Sequence, residues 1–140
     1  MVRPLLIALI AATVVLGACS SDDADPASII DAYVTAYNAG DMEGVMALFS
    51  EDSVVSNHPF TGESSGLTEI SSLHLADLEA AATENAYTIS NVEVTGNTVT
   101  WDHLWINREG DQFCQSGQTA VIEAGKILTW TWPVDDFNCP

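Results

Sequence analysis

The chain has 140 residues, 47% of them hydrophobic, and sets 20 Asp and Glu against 3 Lys and Arg, a formal net charge of −17 at pH 7. That length holds one domain with a real core and leaves no room for a second. Such acidity excludes nucleic acid as a partner and opposes close packing on anionic lipid, because phosphate groups are repelled.

The first segment stands apart from the domain. Arg3 precedes the apolar run Leu5 to Leu16, which is charged only at its front and too short for an ordinary membrane span. Leu16-Gly17-Ala18-Cys19 resembles the bacterial lipobox. The resemblance implies a signal peptide over residues 1–18 and a mature chain that begins at Cys19 with a diacylglyceryl group on its thiol. The expected location is the bacterial cell envelope, extracytoplasmic, with the membrane as partner through the lipid anchor at Cys19. A multi-chain anchor of this kind is firm, since each buried methylene contributes about 0.8 kcal/mol. Of the three cysteines, lipidation of Cys19 leaves Cys114 and Cys139 as one possible pair, and an oxidising compartment favours a disulfide between them. Residues 19–26 are polar, acidic and closed by Pro26, the composition of a flexible tether. Their three aspartates lack the glycine turn and closing Glu of a calcium loop.

The domain is expected over residues 27–140. Ile29, Ile30, Tyr33, Val34 and Tyr37 fall at helical spacing, and Asn38-Ala39-Gly40 forms a stop. Asp41 can cap a second helix that carries Val45, Met46, Leu48 and Phe49, and Val54-Val55 begins a strand. Residues Thr61 to Gly66 read as a loop, followed by a helix with Leu67, Ile70, Leu73, Leu75 and Leu78. Strands are expected over Tyr87 to Thr95, Thr98 to Asn107, Phe113 to Glu123 and Ile127 to Val134, joined by turns at Gly96-Asn97 and Glu109-Gly110-Asp111. The result is an α+β domain in which an antiparallel meander packs against about three helices.

The run Tyr33-Val34-Thr35-Ala36-Tyr37-Asn38-Ala39-Gly40-Asp41 resembles the opening of the nuclear transport factor 2-like superfamily. Val121 to Leu128, with its Gly-Lys turn, is similar to that superfamily's last hairpin. The resemblance spans about Ala27 to Val134 and implies a cone-shaped curved sheet of the SnoaL-like or ketosteroid isomerase-like kind. The superfamily includes ketosteroid isomerases, scytalone dehydratases and SnoaL-type polyketide cyclases, so its fold does not specify a reaction.

Strand alternation places Val99, Trp101, His103 and Trp105 on one side of their strand, and Leu128, Trp130, Trp132 and Val134 on one side of the last. Facing inward, the four tryptophans would form a wall for a flat, largely apolar ligand; packed together, they would fill the core. Against the ketosteroid isomerases, Tyr33 aligns with the tyrosine that stabilises the enolate. The base position falls on Asn57, an amide without useful basicity, and the second oxyanion donor falls near Gln118. His58, one residue on, would restore a base after a one-residue shift, and His103 is a further candidate. Asp102, the neighbour of His103, belongs to the opposite strand face and is poorly placed to orient it.

The candidate pocket is therefore Tyr33, Asn57, His58, Trp101, His103, Trp105, Gln118, Trp130 and Trp132. His58, His74 and His103 show no metal-ligand spacing, and no phosphate loop or nucleophile elbow occurs, so neither metal nor cofactor is expected. The sequence points to a tethered domain that binds a small apolar molecule or an envelope partner without catalysis. The alternatives are a lyase, isomerase or cyclase acting through His58 or His103 with Tyr33, and a homodimeric scaffold with no ligand.

Overall fold

The computed structural model describes residues 24–134 and Cys139. The expected signal peptide, Cys19 and most of the tether lie outside the described residues. Helix α1 (Pro26–Asn38) begins inside the stretch assigned to the tether: Asp25 is its N-cap, accepting from the Ala27 N–H, and Pro26 occupies the first turn, where no amide donor is needed. Its buried face is Ile30, Tyr33, Ala36 and Tyr37. Gly40, at φ 67°, takes the left-handed turn that ends the helix. Asn38 does more than stop the helix. Its amide donates to the Tyr87 carbonyl (2.7 Å) and accepts from the Tyr87 N–H (2.9 Å), stitching α1 to a strand 49 residues away.

Helix α2 (Met42–Met46) is capped by Asp41 and is shorter than the spacing of its apolar residues predicts. Leu48 and Phe49 lie beyond it, Phe49 buried in the core as part of the turn that leads to β1 (Val54–His58). The expected loop before the third helix contains a short strand, β2 (Gly62–Ser65), which pairs back on β1. Helix α3 (Gly66–Ala80) follows directly, then β3 (Tyr87–Thr95), β4 (Thr98–Ile106), β5 (Gln112–Glu123) and β6 (Lys126–Thr131). Strand β6 stops short of Val134, which is exposed rather than inward-facing.

The strands form one curved six-stranded sheet in the order β2-β1-β6-β5-β4-β3. Every pairing is antiparallel except β1 with β6, which run parallel. That junction is fixed by Ser53, fully buried, whose hydroxyl donates to the Ile127 carbonyl (2.6 Å). Helix α1 lies against β3 and β4, and α3 against β1 and β2, so the helices close the concave side.

Two bulges shape the concave face. In β5 an extra residue lies opposite the Trp101 to His103 step of β4, with Gly117 at φ 84°. It turns both Gln115 and Gln118 inward and bends the strand. In β1 the register shifts between Val55 and His58, with Asn57 at φ 59°. A disulfide joins Cys114 of β5 to Cys139, tying down the end of the chain. The 25-residue separation corresponds to about 3.5 kcal/mol of lost unfolded-state entropy.

Candidate functional site

Inside the cone the aromatic side chains divide by depth. Trp101 and Trp130 are fully buried, their rings 5.5 Å apart, and fill the narrow end. Tyr33 sets its ring edge-to-face against Trp130 at 4.8 Å and contacts Tyr37, Phe49 and Tyr87. Nearer the wide end a cavity opens, floored by Tyr33 and walled by Tyr37, Tyr87, Trp105, Phe113 and Trp132. His58, Pro59 and Phe60 form one rim; Asp77 and His103 complete the lining. It is narrow: the centre of a water-sized sphere can explore about 30 Å³. A few tens of Å³ on that measure holds roughly two waters or one compact group.

Of the expected pocket residues, Tyr33, His58, His103, Trp105 and Trp132 line this cavity. Four do not. Trp101 and Trp130 are core. Gln118 is fully buried but committed to the framework: its Oε1 accepts from Trp130 Nε1 (2.6 Å) and its Nε2 donates to Gln115 Oε1 (3.0 Å). Asn57 points outward and is exposed. The β1 bulge is the cause, since the extra residue carries Asn57 to the solvent side and turns His58 inward. The position that the resemblance gave to an amide is therefore filled by an imidazole.

Asp77 went unrecognised in the sequence. Helix α3 buries Ile70, Leu73 and His74, and the same stripe continues one turn on to Asp77. Two polar residues at apolar-stripe positions were the available signal, whereas Leu75, read as part of the stripe, is exposed. Tyr37 and Tyr87 also reach the cavity, each with its hydroxyl accepting from an indole: Trp105 Nε1 at 2.8 Å and Trp101 Nε1 at 3.4 Å respectively.

The polar inventory sets the possible chemistry. The Phe60 N–H donates to His58 Nδ1 (3.4 Å), with the Thr61 hydroxyl also at 3.3 Å, and Nε2 lies 3.3 Å from Asp77 Oδ2. A backbone N–H can only donate, so in the neutral imidazole the proton is on Nε2 and is given to Asp77. Both nitrogens of His58 are thus engaged by the protein. His103 stacks on Tyr87 (5.1 Å, 13° between planes), and burial lowers its pKa to about 4, leaving a neutral, weakly basic ring. Asp102 faces away, held below the usual carboxylate range chiefly by the Asn91 amide. Burial raises all three tyrosine hydroxyls, which stay protonated and able to donate. Behind Tyr33, His74 places Nδ1 3.3 Å from its hydroxyl, and burial lowers the His74 pKa to about 3. Among the described residues, His103 Nδ1 and Trp132 Nε1, from two lining side chains, have no protein partner, and no cluster is placed to hold a metal.

An α+β cone with a small, aromatic-walled cavity at its mouth defines a nuclear transport factor 2-like protein. More narrowly, the chain belongs to the SnoaL-like domain family, whose model matches residues 30–130. No curated protein matches it significantly. Among solved structures it is similar to an LEH-like epoxide hydrolase of M. tuberculosis (18% identity, TM-score 0.62, covering 80% of this chain and 81% of that one). It is also similar to the Delta 5-3-ketosteroid isomerase of Mycobacterium sp. (14%, 0.60, 77% and 92%). A third is a ketosteroid isomerase-like fold protein of Catenulispora acidiphila DSM 44928 in complex with trimethylamine (16%, 0.61, 74% and 82%). At these identities the likeness establishes the fold.

Two of the three buried histidines, His74 and His103, make stability depend on acidity. Unfolded, each titrates near 6.5; folded, His103 and His74 take a proton only near 4 and 3. Below 6.5 the unfolded chain therefore binds more protons, and the stability present at neutral pH is lost as pH falls toward 4, by up to about 1.4 kcal/mol per pH unit for each histidine. Urea midpoints measured from pH 7 to 4.5 should fall with a slope approaching two protons, and His74→Gln should remove about one of them. A flat profile across that range would contradict the buried neutral state.

Proposed function

We propose that this SnoaL-like domain is a small-molecule-binding protein of the bacterial envelope whose guest enters the cone mouth and is held without turnover. The observation that carries this reading is the commitment of both His58 nitrogens to protein partners beside an apolar cavity. The imidazole at the expected base position serves as framework, and His103 is too weak a base to replace it. The cavity's volume favours a compact guest, or the compact end of a larger one, over a flat polycyclic molecule.

Acid–base catalysis as a lyase, isomerase or cyclase is the second reading, favoured by the His58–Asp77 pair at the lining and by Tyr33 as a protonated hydroxyl on the cavity floor. Tyr33→Phe and His58→Ala separate the two. The binding reading expects that no carbonyl or epoxide compound is turned over by the wild-type protein, and that both variants retain binding of small apolar probes within about tenfold. Turnover that either substitution abolishes would establish the enzyme instead.

The lipobox resemblance and the acidic residues after it support attachment through a lipidated Cys19. Expressed in a bacterial host, the full chain should partition with membranes, and Cys19→Ser should release it to the extracytoplasmic soluble fraction. Equal membrane partitioning of both forms would remove the anchor.

A further inference from the structure

Asp77 is a carboxylate with little to do. Its side chain is four-fifths buried, yet among the described residues it accepts one hydrogen bond, from His58 to Oδ2; Oδ1 accepts none. An ionised carboxylate has about four acceptor sites, so Asp77 keeps capacity for a donor that enters the cavity. The surroundings are aromatic. Seven rings line the same cavity, those of Tyr33, Tyr37, Phe60, Tyr87, Trp105, Phe113 and Trp132, and no Lys or Arg joins them. The two described basic residues lie elsewhere, Arg108 in a groove beside α1 and α3 and Lys126 bonded to the Ala47 carbonyl.

We propose that the cavity receives a compact alkylammonium ion, one N–H of which donates to Asp77 Oδ1 while its alkyl groups pack on the aromatic walls. This rests on the reading of the cone mouth as a binding cavity and names the class of its guest. A charge-assisted N–H···O bond to that oxygen is roughly twice as strong as a neutral one. Rings near a desolvated cation add attraction that a neutral guest of the same shape does not receive. The net charge of −17 draws cations toward the mouth and disfavours carboxylate or phosphate guests. His58 keeps its place in the arrangement, since it uses the other carboxylate oxygen.

The test compares three guests of nearly one shape, tert-butylammonium, tert-butanol and trimethylacetate, by following the indole N–H resonances of Trp105 and Trp132 during titration at pH 7. The ammonium should saturate with an affinity about tenfold or more above that of the alcohol, the anion should not bind, and Asp77→Asn should erase the preference. Equal binding of alcohol and ammonium, or an ammonium affinity unchanged in Asp77→Asn, would overturn the cation while leaving the cavity as a binding site. If no guest moves either indole, the binding reading itself fails and this inference with it. Should Asp77→Asn not fold, the comparison of the three guests on the unmodified protein decides alone, with Trp105→Leu expected to weaken the ammonium more than the alcohol.

Discussion

The Trp130 indole is the contact on which the remaining arrangement depends. It comes from β6, held between β5 and the parallel strand β1, and so sits at the middle of the concave face. Its ring meets Tyr33 of α1 edge-on, tilts against Trp101 of β4 and stacks on Trp132 at 5.7 Å. Its N–H is satisfied by Gln118, which the bulge at Gly117 lets donate to Gln115 on the same face. Burying such a ring contributes several kcal/mol, to which each well-placed aromatic neighbour adds roughly 0.5–1.5 kcal/mol. Sheet and helix are locked together at the narrow end. The taper that the lock imposes leaves the wide end unfilled.

That taper explains why polar groups at the mouth behave differently from those at the floor. Deep in the cone Gln118 pairs with Trp130 and Gln115, and Tyr33 with His74 Nδ1, while His74 Nε2 has no partner among the described residues. Toward the mouth, His58 and Asp77 pair with each other, while among the described residues His103 Nδ1 and Trp132 Nε1 have no protein partner. A buried polar group with no partner is a cost that folding alone does not explain. Among the described residues, two of the three such side-chain atoms belong to residues that line this one cavity.

The architecture was largely legible in the sequence because local signals agreed. The helical spacing from Ile29 to Tyr37, the Gly40 stop, the Asp41 cap and the start of β1 all occur as read, and β3 occupies the expected Tyr87–Thr95. Alternation along β4 correctly placed Val99, Trp101 and His103 on the buried face. The site was less legible, for two physical reasons. Alternation fails at bulges, and a single extra residue in β1 exchanged the roles of Asn57 and His58. Alternation also gives a side but not a depth, so Trp130 and Trp132 shared a face while only Trp132 reached the cavity. Asp77 was hidden because leucines dominate α3, and the aspartate that continues the buried stripe looks like a solvated charge until the helix is docked.

A filled narrow end and an open mouth are the central division of this structure. Fluorine NMR of protein labelled with 5-fluorotryptophan, under xenon pressure, tests it directly, because xenon enters small apolar cavities without needing a polar contact. The resonances of Trp105 and Trp132 should shift saturably while those of Trp101 and Trp130 stay in place. Four unmoved resonances, or shifts confined to Trp101 and Trp130, would contradict it.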